Sequence, residues 1–200
     1  QDSSYVIKGS EEVFNNIFAV RAQEALVNQS LYSSDWYDEE MVTEYLLFPD
    51  FTSLLTKPKL ALTPFIQLVD HFGWEIWRTF FKNQRELPDN ERSKLTDGSD
   101  QNKINNLVAS LSKIARHNLI PHFEFWGFKI TGQVISELKD YPYFFPDDKV
   151  VRLSTWNDSE ILSKYLSAFR SAQQLPLKSQ LGPYNQIVGP KVYLYTARLS

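Results

Sequence analysis

The sequence predicts a mainly α-helical protein: a helical, bundle-like subdomain over residues 1–149, followed by a small mixed α/β tail over residues 150–200. Three observations carry that prediction. Apolar residues recur at three- and four-residue intervals in successive runs, which is the helical period. The ten prolines and seven glycines fall mostly between those runs, where they act as punctuation. Period-two alternation is clear only at residues 191–197, KVYLYTA, the one good strand candidate. At 200 residues, with 42% hydrophobic and 14% aromatic content, the chain can bury roughly 70% of its unfolded surface without a disulfide or structural metal. Disordered and low-complexity classes are excluded by the same aromatic content.

The elements follow in order. Residues 10–30 read as a helix with Ser10 at the N-cap, Glu11 and Glu12 at the positive end of the dipole, and apolar residues at 13, 14, 17, 18, 22, 25 and 26. Residues 33–40 form an acidic loop opening a second helix that runs to about Phe48, where Pro49 stops it. Carboxylates crowding a helix start are read there as dipole partners rather than metal ligands. A long helix is expected over residues 63–82, with Pro64 in its first turn and Phe65, Leu68, Val69, Phe72, Ile76, Phe80 and Phe81 in one stripe broadened by Trp74 and Trp77. Residues 83–100 read as an exposed polar connection, and residues 101–117 as another helix. Pro121 is expected to break the chain before the compact aromatic segment 122–128. Thr131 caps a short helix through Leu138 that buries Val134, Ile135 and Leu138, and residues 141–146 make a rigid aromatic turn. In the tail, residues 158–172 read as a helix.

Composition narrows the function classes. With 21 basic against 24 acidic residues the net charge is −3, and no basic stripe is present, so nucleic acid is a poor partner. No apolar run approaches the ~18 residues that a membrane span needs. Cysteine is absent, which removes thiolate metal sites and thiol nucleophiles. The opening Gln1-Asp2-Ser3-Ser4 lacks the basic start and apolar middle of a signal peptide. Two N-glycosylation triplets occur, Asn28-Gln29-Ser30 and Asn157-Asp158-Ser159. No nucleophile elbow, phosphate-cradling loop or dinucleotide fingerprint is found. Of the three histidines, His71 lies beside an apolar helix face and His117 at a helix end. His122 follows five positions later across Pro121, so the pair lacks the i,i+4 spacing of helical metal ligands.

Three segments point further: Glu12-Val13-Phe14-Asn15-Asn16-Ile17-Phe18, then Phe72-Gly73-Trp74-Glu75, then Leu119-Ile120-Pro121-His122-Phe123-Glu124-Phe125-Trp126-Gly127-Phe128-Lys129-Ile130-Thr131. In this order and at these separations they resemble the C-terminal half of the catalytic domain of the enhancin-like, mucin-degrading zinc metallopeptidases, a gluzincin type. The resemblance covers roughly residues 11–145. It implies that Glu12 is the glutamate ligand of a zinc ion, with Asn15 or Asn16, one turn on, orienting it. Zinc held by two imidazoles and a carboxylate with one open position brings the pKa of bound water to about 7 and so supplies a nucleophile for peptide hydrolysis.

The sequence departs from that family in one respect. No His-Glu-x-x-His occurs in it, so the two histidine ligands and the general base are expected on a missing or companion segment, and the chain alone is expected to be inactive. The resemblance further implies one wall of a substrate cleft, mucin-like or other glycoprotein substrates, and an extracellular setting. The alternative reading is a non-catalytic secreted protein that uses the same scaffold to bind protein or glycan. Trp36 and Tyr37, if exposed, offer faces on which sugars stack.

Overall fold

The computed structural model describes residues 4–96 and 98–144. The helix expected at 158–172, the strand at 191–197, the tail as a whole and Asn157 lie outside the described residues. Within them the architecture is α-helical, as the sequence predicts: α1 (Glu11–Val27), α2 (Glu39–Tyr45), α3 (Phe51–Leu55), α4 (Pro58–Phe72), α5 (Glu75–Arg85), α6 (Asp89–Thr96), α7 (Asp100–Ala115), α8 (Ile120–Phe125) and α9 (Gly132–Leu138).

The molecule is organised around α4. Pro58 occupies its first turn, where a missing N–H costs nothing, and every residue from Leu60 to Val69 is buried. A helix buried all round needs neighbours on all sides. Its most extensive partner is α1, and α3 and α5 also pack on it. Phe65 sits at the centre. It stacks on Phe14 of α1 (5.8 Å between ring centroids) and meets Trp77 of α5 edge-on (5.3 Å). Phe123 and Phe128 complete its surroundings at 6.4 and 6.5 Å. Removing a ring of this kind costs about 3–5 kcal/mol in a core that cannot collapse.

Several boundaries differ from the sequence expectation, each for a local reason. The expected single helix over 63–82 is two helices, because the chain turns at Gly73 with φ 71° and ψ 175°. The apolar stripe runs through the break because residues on both sides of it pack into one core. Pro64 lies inside α4 rather than in its first turn. Around it Thr63 Oγ1 donates to the Lys59 carbonyl and His122 Nε2 donates to the Pro64 carbonyl at 3.0 Å. Pro121 starts a helix instead of breaking one, since it stands in the first turn of α8. The polar connection contains α6, which buries none of its residues, so its helix left no periodic apolar signal. Helix α1 ends at Val27 and α2 at Tyr45, short of the limits read from sequence. Ser10 stands at the N-cap, yet its hydroxyl donates backwards to the Ile7 carbonyl. Ile135 is 39% exposed, whereas Val134 and Leu138 are buried as expected.

Trp126 closes the fold from the far side. Its indole N–H donates to Gln67 Oε1 of α4 at 2.7 Å, so two buried polar groups satisfy each other. Tyr45 stacks on the same indole (5.8 Å, 14° between planes) and donates its hydroxyl to the Trp126 carbonyl at 3.0 Å. Gly127 then turns the chain at φ 79°, so close to the α2–α3 connection that an added Cβ would lie 2.9 Å from the Phe51 nitrogen. At Gly73 an added Cβ meets nothing within 4 Å. Gly73→Ala is therefore expected to cost the backbone strain alone, about 1–3 kcal/mol. Gly127→Ala adds a backbone clash to a similar strain and is expected to be the more destabilising of the two in urea unfolding. Equal midpoints for the two variants would contradict this packing.

Candidate functional site

The residues singled out by sequence lie at the start of α1, and the segment before that helix is pinned at several points. The Lys8 amide donates to Asp100 Oδ1 at 3.2 Å, and Lys103 Nζ donates to the Val6 carbonyl at 3.0 Å, tying residues 6–8 to the start of α7. The Ser10 amide donates to the Ile7 carbonyl at 2.9 Å. From there α1 turns Val13, Phe14, Ile17 and Val20 into the core.

At 3.6 residues per turn, Glu12, Asn15, Ala19, Ala22 and Leu26 share the opposite face. Glu12 and Asn15 are exposed, and Asn16 is half-buried on the flank of that face. The face is mostly uncharged beyond its first turn. Phe18 at its edge is 55% exposed while stacking on Phe81 at 4.8 Å, and Leu26 is 82% exposed. Thus α1 is apolar on two sides, one side packed on α4 and the other carrying the carboxylates of Glu11 and Glu12 at its N-terminal end. Those carboxylates also suit the helix dipole.

The histidines are elsewhere. His71, His117 and His122 all lie against Phe144, at 5.2, 6.2 and 6.1 Å between ring centroids, with Phe72 between them at 4.7 Å from Phe144. His122 is fully buried, its Nε2 proton held by the Pro64 carbonyl, and His117 Nδ1 donates to the Ala115 carbonyl at 2.8 Å. All three rings thus pack into one aromatic cluster. Among the described residues no group of three His, Cys, Asp or Glu side chains is placed to hold a metal ion. Glu12 is an exposed, outward carboxylate, and the chain's own histidines are not placed as its companions around a metal ion.

The tryptophans at the other end of α1 are fixed by α1 itself. Trp36 donates to Gln23 Oε1, and Trp74 donates to Glu24 Oε2. Arg21 pairs with Glu24 at 2.9 Å and lies over the Trp74 ring at 5.6 Å. Trp36 is half-buried, but Tyr37 is buried beneath Tyr32 and presents no face to a sugar.

Sequence reasoning missed Tyr45. Its hydroxyl is buried, and it forms the floor of a cavity of about 160 Å³ with Leu60, rimmed by Glu44, Phe48, Ser53 and Lys57. Burial holds the Tyr45 phenol well above the ordinary tyrosine range, so it stays protonated and acts as a hydrogen-bond donor rather than a base. The local sequence around it carries no signal for a hydroxyl that closes on a carbonyl 81 residues away. Because its folded pKa lies above the unfolded value, Tyr45 contributes stability that is complete below about pH 10 and is lost as pH rises further. Tyr45→Phe is expected to cost about 1 kcal/mol at pH 7 by removing the hydrogen bond to Trp126, and to flatten the alkaline decline in urea midpoint. An unchanged alkaline limb would contradict the burial of that hydroxyl.

Comparison with known proteins adds the lineage. The family model described as peptidase M60, enhancin and enhancin-like, matches residues 1–127. That span holds the first two of the three segments noted in the sequence and the third as far as Trp126-Gly127. Among curated proteins, the TRPM8 channel-associated factor homolog of Xenopus laevis is 29% identical over 87 residues, 44% of this chain and 9% of that protein. TRPM8 channel-associated factor 2 of Bos taurus is 32% identical over 82 residues, 41% of this chain and 8% of that protein. TRPM8 channel-associated factor 1 of the same species is 35% identical over 85 residues, again 41% and 8%. The matched stretch thus spans less than a tenth of each of these relatives. No solved structure matches. With the greater part of its length matched, the chain belongs to the peptidase M60 family of enhancin and enhancin-like proteins.

Proposed function

We propose that this chain is the helical C-terminal part of a zinc metallopeptidase catalytic domain, forming one side of the substrate cleft. Glu12 is its contribution to the metal, and Asn15 and Asn16 orient that carboxylate. The two imidazole donors and the general base come from a companion segment bearing His-Glu-x-x-His. When bound, zinc supplies an activated water. The substrates are mucin-like or other glycoproteins, met outside the cell.

The observation that supports this reading is the two-sided character of α1. A helix that has satisfied its core face and still carries Ala19, Ala22 and Leu26 outward, in line with Glu12 and with Phe18 at the edge, has the surface of a helix with a second neighbour. A ligand at the first turn of such a helix stands at the edge of that contact, where a facing helix can bring its own donors within reach. Membership of the M60 family supports a peptidase-like chemistry.

A second reading rests on a different observation. The curated relatives are named as channel-associated factors, which fits a scaffold kept for binding proteins rather than cutting them. On that reading Glu12 is a solvated acid at a helix start, and the outward face of α1 meets a protein partner.

The readings separate on one substitution. In the domain reconstituted with the His-Glu-x-x-His segment, Glu12→Gln is expected to remove stoichiometric zinc and nearly all cleavage of an O-glycosylated substrate. Asn15→Ala and Asn16→Ala together are expected to weaken zinc binding about 10–100-fold. In the isolated chain Glu12→Gln is expected to shift unfolding by less than about 1 kcal/mol, the size of a helix-dipole contact. Full activity and zinc content in the Glu12→Gln domain would overturn the metallopeptidase reading. A wild-type domain that neither holds zinc nor cleaves, yet binds a glycoprotein or channel segment, would establish the second.

A further inference from the structure

The end of α1 carries a side chain that neither the core nor the proposed metal surface uses. Asn28 closes the helix in the left-handed region, at φ 53° and ψ 38°, with its amide N–H on the Gln23 carbonyl. Asparagine tolerates that conformation better than most residues, which accounts for its backbone. Its carboxamide is exposed and has no hydrogen-bond partner among the described residues. The half-buried Asn105 and Asn106 and the buried Asn118 contrast with it. The Asn105, Asn106 and Asn118 amides donate to Thr131 Oγ1, Gln84 Oε1 and the Leu138 carbonyl.

The residues that follow leave the carboxamide clear. Gln29 is turned into the loop, where Nε2 donates to Ser33 Oγ at 2.9 Å and to Asp35 Oδ2 at 2.7 Å. Ser30 is exposed, and its hydroxyl accepts from the Tyr32 amide at 3.2 Å. Before it, Val27 is 68% exposed and lies off the face that carries Ala19, Ala22 and Leu26, so a bulky group has room at this end of the helix. The triplet Asn28-Gln29-Ser30 therefore combines an acceptor sequence with an accessible, uncommitted amide at a surface turn.

We infer that Asn28 is an N-glycan acceptor. In the transfer, Asn28 Nδ2 forms a bond to the anomeric carbon of an oligosaccharide carried on a lipid diphosphate. The anomeric C–O bond breaks, the lipid diphosphate leaves with the electron pair, and one amide proton is lost to a base of the host transferase. Ser30 supplies the hydroxyl of the acceptor motif. The modification shares its compartment with the extracellular reading above and is independent of any metal role for Glu12.

The test sends the 200-residue chain through the secretory pathway of a eukaryotic host, in an Asn157→Gln background so that Asn28 is the only acceptor triplet. The expected result is a gel shift abolished by peptide N-glycosidase, with Asn28 converted to Asp in the digested peptide. Ser30→Ala and Asn28→Gly are expected to lose the shift, and Ser30→Thr to keep it. Glycine preserves the left-handed cap, and Ser30→Ala leaves Asn28 in place, so thermal melts matching the deglycosylated parent separate loss of the acceptor from loss of the fold. A folded luminal chain whose Asn28 amide is recovered unmodified would overturn the inference.

Discussion

A helix buried on every side imposes the main constraint on this molecule. From Leu60 to Val69, α4 has no face to give to water, so the rest of the described chain is arranged to cover it. Helix α1 covers it through Phe14, α5 through Trp77, and the α8 region through Phe123 and Phe128, all meeting at Phe65. The polar groups that α4 cannot avoid burying are matched individually, Gln67 by the Trp126 indole and the Pro64 carbonyl by His122. Those pairings fix which way each covering element faces. The orientation of α1, and so the outward direction of Glu12, follows from packing on α4 rather than from any property of Glu12.

Much of this was legible in the sequence because helical periodicity records burial. The apolar residues of α1, α4, α5 and α7 announce their helices, and α7 buries Ile104, Leu107, Val108 and Leu111 at helical spacing. The errors arose where periodicity is silent. Phe72 and Ile76 continue a stripe across Gly73 because both sides of the turn face one core, so the break could be read only from the backbone angle. Helix α6 buries nothing and left no pattern. Pro121 reads locally as a break, yet it stands in the first turn of α8, where its missing N–H costs nothing. Tyr45 and Gln67 act through contacts 81 and 59 residues distant, which no local spacing encodes.

The candidate site was legible in a different sense. Composition and spacing alone make Glu12 a helix-start acid; only the family likeness implies a metal ligand, which is why that role is a proposal. What the structure contributes is its surroundings: an exposed carboxylate in line with Asn15 and with a largely uncharged face that α1 has not buried. The same structure commits the three histidines to the cluster around Phe144. On the proposed reading, zinc chemistry divides between this chain, which offers the exposed Glu12 carboxylate, and a companion segment that brings the imidazoles.

The most direct measurement is the crystal structure of the domain joined to its His-Glu-x-x-His segment, grown with zinc and phased on the metal's anomalous signal. The account predicts a Glu12 carboxylate oxygen about 2.0–2.2 Å from the ion, beside two imidazole nitrogens, with the facing helix lying along Ala19 and Ala22 of α1. Zinc bound without Glu12, or α1 still open to solvent on that face, would contradict it.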